Sequence, residues 1–221
     1  MFKYLNELQQ RELLKAARTQ ACELAQRDYH WMAALILLGM RIQEFSKLTK
    51  PTVLKALASG WLYSDKNHCK GKRRVHEYPV TAQLRVHLLA LLRISDAELV
   101  IHINPSADQP LVWGRATGGY ADALSVRSYQ DRMKIWLRAA GLDERLSPHS
   151  LRHTRAMNIM RRHRGNDAVL VTRQALNHTS LRSTTIYTQL SREEVAAKLQ
   201  LVDGGGRMRK RDARALSGVD L

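Results

Sequence analysis

Apolar residues recur at helical spacing near the start of the chain, at Leu5, Leu8, Leu13, Leu14 and Ala17. That is the stripe of an amphipathic helix. Asn6 offers a side-chain oxygen just before it and Gln9 stands three residues on, so the helix is predicted to start at an Asn6 N-cap. A second helix is predicted over about 28–40. Its segment "WMAALILLGM" (31–40) is apolar on nearly every side and reads as a buried helix. The run is about half the length a bilayer crossing needs, and it lacks the N-terminal position of a signal peptide. A third helix is predicted over about 42–48, with Pro51 as its stop.

The texture then changes. "GWLYS" (60–64) and "RRVHEYPV" (73–80) are short strand-like runs on either side of the polar "DKNHCKG" (65–71), a hairpin pattern. A helix is expected from about Thr81 to Leu92. Residues 93–124 read as irregular, with a short strand at "PLVWG" (110–114). Helical periodicity returns with Val126, Tyr129, Met133, Trp136, Leu137 and Ala140, and Gly141 ends it. Pro148 opens a helix over 149–163, as proline suits a first turn. Asn166 or Asp167 caps another to about Leu176, and Ser191 with Glu194 forms a capping box for a last one to about Leu201. The pattern is a mainly α chain with a small antiparallel β-sheet, an α+β class. The glycine-rich, basic segment 203–221 reads as a flexible tail beyond a domain of residues 1–202.

Charge narrows the partner. The 36 Lys and Arg against 20 Asp and Glu leave a net +16 over 221 residues, which favours a polyanion and salt-sensitive association. Charge alone selects nucleic acid without selecting DNA. Two cysteines, Cys22 and Cys69, are too few for a disulfide framework and fit a reducing cytosol.

Three fragments carry candidate chemistry: "LLGMRIQEF" (37–45), "HSLRH" (149–153) and "HTSLRSTTIYT" (178–188). They set Arg41 at the end of an apolar run, His149 three residues before Arg152, and His178 nine residues before Tyr187. Arginine suits a phosphate that gains negative charge, because its planar fork binds two oxygens and stays protonated. A tyrosine hydroxyl is a nucleophile once cations or a base help ionise it. In this order the fragments resemble the tyrosine recombinases, the phage integrase family, from about Tyr4 to about Leu201. The resemblance implies that family's catalytic-domain fold, helices around a three-stranded sheet. It also implies strand breakage through a 3′-phosphotyrosyl ester, which stores the energy of the broken bond and needs neither metal nor ATP.

What the resemblance implies for single residues follows by motif. Arg41 and Arg152 correspond to the two phosphate-clamping arginines and Tyr187 to the nucleophile. His149 takes acid–base work on the tyrosine or phosphate, and His178 donates to the scissile phosphate. The family's general acid is a lysine in a hairpin turn, which gives Lys70, followed by glycine, with Lys72 as the alternative. Glu44, three residues after Arg41, matches an acidic position that orients the arginine. His153 falls one turn past His149, but no third ligand and no HExxH glutamate accompany the pair, so no metal site is expected.

Two departures matter. Asn177 stands in "LNH" where the family commonly has glycine, at a turn asparagine can follow because it tolerates a left-handed backbone. The resemblance also starts near the first residue, without the N-terminal core-binding domain most members carry. A half-clamp of that kind is expected to touch fewer phosphates and to show a shallower salt slope. The implied partner is double-stranded DNA in the cytoplasm, at the nucleoid, with self-association to a tetramer on DNA, a possible accessory DNA-binding protein, and no membrane. Type IB topoisomerase-like relaxation is the enzyme alternative. A non-catalytic DNA-binding regulator that kept the fold is the other, and it would have no need of Tyr187.

Overall fold

The computed structural model describes residues 3–65, 75–99, 109–117, 120–163 and 166–177, all within one compact unit, residues 1–187. Among these residues the order of elements is α1 (Glu7–Arg18), α2 (Glu23–Leu38), α3 (Ile42–Phe45), α4 (Lys50–Ser59), β1 (Trp61–Ser64), β2 (His76–Pro79), α5 (Ala82–Leu99), β3 (Trp113–Thr117), β4 (Tyr120–Ala123), α6 (Val126–Ala139), α7 (Pro148–Arg162) and α8 (Asn166–Ala175). The mainly helical α+β class expected from the sequence is the one observed.

Helix α2 is the axis of the fold and packs against α1, α5, α6 and α7. Its residues Trp31, Met32, Ala34 and Leu35 are fully buried, which explains why the sequence there is apolar all round. Helix α1 starts as expected: the Gln9 N–H donates to Asn6 Oδ1 and the Asn6 N–H to Gln9 Oε1, both at 2.9 Å. Its Leu5 N–H reaches Thr154 Oγ1 of α7 at 2.9 Å, which fastens the first element to the helix that carries Arg152.

A buried carboxylate joins α2 to α6 and β3. Asp28 is fully buried, and its oxygens accept from Trp31 Nε1 at 3.0 Å, Trp136 Nε1 at 2.8 Å and Arg132 Nε at 2.6 Å. Arg27 also bonds it, through Nη2 at 3.2 Å, while Arg27 Nη1 donates to the Trp113 carbonyl at 3.1 Å. A buried charge of this kind is tolerated because every lone pair finds a donor and cations sit beside it.

Four sequence expectations change. Pro51 does not end a helix; it lies in the first turn of α4, with Thr49 as N-cap, where its missing N–H costs nothing. Helix α2 starts at Glu23, five residues before the start expected at about 28, because its first turns are half polar and lack the apolar pattern. The region 93–124 is more regular than expected: α5 runs on to Leu99, and β3 pairs with β4 as a second hairpin. Among the described residues there are therefore two two-stranded antiparallel sheets, β1–β2 and β3–β4, where one small sheet was expected.

Strands β1 and β2 pair with Leu62 opposite Tyr78 and Ser64 opposite His76. These four side chains are buried, while Trp61, Tyr63 and Glu77 face out. The period of two thus turns His76 and Tyr78 to the same inner face.

Candidate active site

The chain leaves α2 through Gly39, a left-handed C-cap with φ 63°. It passes the buried Met40 and reaches Arg41 at the N-cap of α3. A side chain at Gly39 has no room: an added Cβ would lie 2.5 Å from Leu176 Cδ2 and 2.9 Å from Arg155 Cγ. Glycine is required there by both its backbone angle and the close approach. Arg41 therefore sits where α2 has ended and α3 has not yet turned.

One turn into α3, Glu44 is buried, 1 % exposed, and receives three donors from two elements. Arg41 Nη1 donates to Oε1 at 2.9 Å. The Tyr78 hydroxyl donates to Oε2 at 2.8 Å, and His76 Nδ1 lies 3.2 Å from the same oxygen. An ionised carboxylate only accepts, so His76 carries its proton on Nδ1 here. Glu44 thus orients Arg41, and it does so from the hairpin side as well.

Arg152 comes from the start of α7 and is 2 % exposed. Its Nη1 donates to the Gly39 carbonyl at 2.6 Å and its Nη2 to the Leu176 carbonyl at 2.7 Å. These are carbonyls at the C-terminal ends of α2 and α8, which lack helical partners and carry partial negative charge. Two helix ends therefore fix one guanidinium. The Gly39 carbonyl that holds Arg152 lies two residues before Arg41, so the turn after α2 brings together the two arginines that the sequence places 111 residues apart.

Tyr78 itself is held in its protonated form. Burial first, then the Glu44 charge and its hydrogen bond, push the phenol well above its ordinary range. Burial pushes the Tyr129 phenol the same way. Neither is a ready nucleophile.

His149 is exposed in the first turn of α7. Its ring meets that of His153 edge to face, with centroids 4.5 Å apart. The His153 imidazole is pushed down to about 4 by burial, with the neighbouring His149 and Arg152 acting in the same direction. His153 is thus a neutral packing partner of His149. Among the described residues no group of three His, Cys, Asp or Glu side chains is placed to hold a metal ion.

Asn177 is the one described non-glycine residue with positive φ, at 50°, the left-handed turn expected of it. Its side chain adds something glycine could not: Nδ2 donates to the Glu77 carbonyl at 3.0 Å. The residue before His178 is thereby tied to β2, between His76 and Tyr78. Lys70, its alternative Lys72, His178 and Tyr187 lie outside the described residues, as do the segments 191–201, expected as a capped helix, and 203–221, expected as a tail.

Sequence reasoning thus brought Arg41, Glu44 and Arg152 to one place and missed Gly39, His76 and Tyr78. Gly39 had a signal, a glycine directly after an apolar helical run. His76 and Tyr78 had a weaker one, polar groups alternating in a strand.

Comparison with known proteins finds relatives in sequence and in fold. The model of the phage integrase family matches residues 3–194. A tyrosine recombinase XerC of Neisseria gonorrhoeae is 28 % identical over 178 residues, 78 % of this chain and 50 % of that protein. A tyrosine recombinase XerD of Pseudomonas putida is 28 % identical over 175 residues, 76 % of this chain and 51 % of its own length. The chain spans about half the length of these curated relatives. Among solved structures, a XerA recombinase superposes with a TM-score of 0.66 at 21 % identity, covering 91 % of this chain and 64 % of that one. The Tn1549 transposon integrase in complex with a circular intermediate DNA gives 0.71 at 13 % identity, covering 91 % and 66 %. At these identities the structural likeness speaks to the fold.

Proposed function

The chain belongs to the phage integrase family, and we propose that it is a site-specific DNA recombinase that cuts and rejoins strands through a 3′-phosphotyrosyl intermediate. The observation that carries this reading is the pair Arg41 and Arg152. They arrive from separate elements and are oriented by buried acceptors, Glu44 for one and two helix-end carbonyls for the other. Guanidinium groups held in advance stabilise charge that develops on a phosphate without reorganising during the reaction.

In this mechanism the Tyr187 oxygen attacks the scissile phosphorus, and the bond from phosphorus to the 5′ oxygen breaks. Arg41 and Arg152 bind the non-bridging oxygens. Lys70, or Lys72 in its place, gives the proton to the leaving 5′ oxygen, while His149 and His178 serve the tyrosine proton and the phosphate. A 5′ hydroxyl attacking the phosphotyrosine reverses each step and frees Tyr187, so the bond energy is conserved and no nucleotide cofactor is consumed.

The partner in this reading is double-stranded DNA, which the net charge of +16 favours, with a tetramer assembling on it and an accessory DNA-binding protein as a further component. Residues 1–202 act as the breaking and rejoining domain and 203–221 as a basic tail. No helix among the described residues is long and apolar enough to cross a membrane, and the proposed place of work is the cytoplasm, at the nucleoid.

The test is incubation with a nicked suicide substrate that carries candidate sites. A covalent protein–DNA band from the wild type, absent from Tyr187→Phe while DNA binding stays within a few-fold, is the expected result. Binding without any covalent band would make the chain a DNA-binding regulator. Relaxation of supercoiled DNA without strand exchange would make it topoisomerase-like.

A further inference from the structure

We infer that His76 and Tyr78 of β2 are positioning residues that restrict Glu44 to a single hydrogen bond with Arg41, and so keep the rest of that guanidinium available to a DNA phosphate. The inference rests on the recombinase reading above for the role of Arg41, though not for the geometry.

A carboxylate and a guanidinium left to themselves prefer two parallel hydrogen bonds. That fork would use two of the five N–H donors of arginine and would turn its flat edge toward the protein. In this structure the fork stays open. Glu44 uses Oε1 for Arg41 Nη1, and Oε2 is occupied by the Tyr78 hydroxyl at 2.8 Å and by His76 Nδ1 at 3.2 Å. Arg41 keeps a quarter of its side chain exposed while Glu44 keeps 1 %.

The donors are dependable ones. Tyr78 is 1 % exposed and His76 3 % exposed, so water does not compete for either. Both lie on the inner face of β2, their positions fixed by pairing with Leu62 and Ser64.

Removal of both donors would leave Oε2 buried without a partner. An unsatisfied buried acceptor is costly, and the nearest remedy is a second N–H of Arg41. Glu44 would close the fork, and Arg41 would turn inward and lose the orientation that a phosphate needs. Strand β2 thus acts on the arginine through the carboxylate, although it contributes no group to the phosphate itself. The same strand holds Asn177 through the Glu77 carbonyl, so one strand sets the register of the arginine and of the turn that leads to His178.

The experiment compares Tyr78→Phe combined with His76→Leu, which removes both donors, with His76→Asn, whose amide can replace the Nδ1–H. Single-turnover adduct formation is measured on a nicked substrate, alongside DNA affinity. The double variant is expected to lose about 10- to 100-fold in cleavage rate, a share of what loss of one preorganised donor costs, with affinity within about 3-fold. His76→Asn should stay within about 3-fold of wild type. In an Arg41→Lys background the penalty of the double variant should shrink to under about 3-fold, because the path it acts through is already broken. An equal penalty in both backgrounds would mean that β2 serves the fold alone, and would overturn the inference.

A crystal structure of the double variant decides the geometry whether or not the protein cleaves DNA. Glu44 Oε2 within hydrogen-bond distance of Arg41 supports the inference, and a Glu44 that keeps its single bond overturns it. A wild type that forms no adduct refutes the recombinase reading and leaves that structural result standing. If the double variant does not fold, Tyr78→Phe combined with His76→Phe, which keeps a flat ring at both buried positions, removes the same two donors and carries the same comparisons.

Discussion

Gly39 and Arg152 depend on each other. The arginine donates from Nη1 to the glycine carbonyl at 2.6 Å across 113 residues of sequence, and only a glycine lets α2 end there at φ 63° against Leu176 and Arg155. The turn that releases Arg41 from α2 is therefore the same turn that orients Arg152.

Gly39→Ala should harm stability and catalysis together. The left-handed backbone and the overlap with Leu176 are expected to lower stability by about 1–3 kcal/mol, read as a fall in thermal midpoint. Cleavage should fall further than stability explains, because the Arg152 acceptor moves. A variant that loses stability but cleaves at the wild-type rate would separate the turn from the site.

Arg41→Lys and Arg152→Lys test the clamp. Lysine keeps the charge but cannot present a planar fork, so each variant is expected to lose about 10²–10³ in single-turnover cleavage while it folds normally by circular dichroism. Cleavage near the wild-type rate in either variant would remove that arginine from the proposed chemistry.

Asp28 lies away from the site and tests the frame. Asp28→Asn removes the charge that faces Arg27 and Arg132. Loss of one partner from a buried pair is expected to cost about 3–5 kcal/mol, measured by urea denaturation. A loss under about 1 kcal/mol would mean that the cluster is bridged in some other way.

Acid should loosen the contact between α2 and α5. His30 and His87 face each other with Nδ1 atoms 3.0 Å apart. Burial first, then His87, pushes His30 down to about 4, and burial lowers His87 as well. An imidazole whose folded value lies below its unfolded value of 6.5 makes the unfolded chain the better proton binder. The stability is then fully present above about pH 6.5 and is lost progressively as pH falls toward about 4. Urea midpoints measured across that window should fall, and His87→Leu should make the slope shallower. An unchanged slope in the variant would place the acid sensitivity elsewhere.

The hairpin lysines can be told apart by leaving-group chemistry. A lysine that protonates the departing 5′ oxygen becomes dispensable when sulfur, a better leaving atom, takes that position. On a 5′-bridging phosphorothioate, Lys70→Ala is expected to regain cleavage and Arg152→Ala is not. Rescue of Lys72→Ala instead would move the general acid by two positions.

Local chemistry wrote much of this protein into its sequence. Asn6 with Gln9 started α1, Pro148 opened α7, and Asn177 took the left-handed turn, since caps and turns are settled by residues a few positions apart. The order of the arginine, histidine and tyrosine motifs pointed to the family, and Arg41 with Glu44 was legible because the resemblance sets an acidic residue three positions after that arginine. Local rules failed where two readings were equally local: Pro51 suits the end of one helix and the start of the next, and the Thr49 cap, whose side chain accepts from the Thr52 N–H, marks the start.

The tertiary structure alone decided what each functional group leans on. Arg152 relies on carbonyls 113 and 24 residues away, Glu44 on a hydroxyl 34 residues away, and Asp28 on an indole 108 residues away. No periodicity records such pairings, because a buried acceptor is satisfied by whichever donor the packed elements bring to it. Sequence determined which residues could do the chemistry; the meeting of α2, α7, α8 and β2 determined how the two arginines are held.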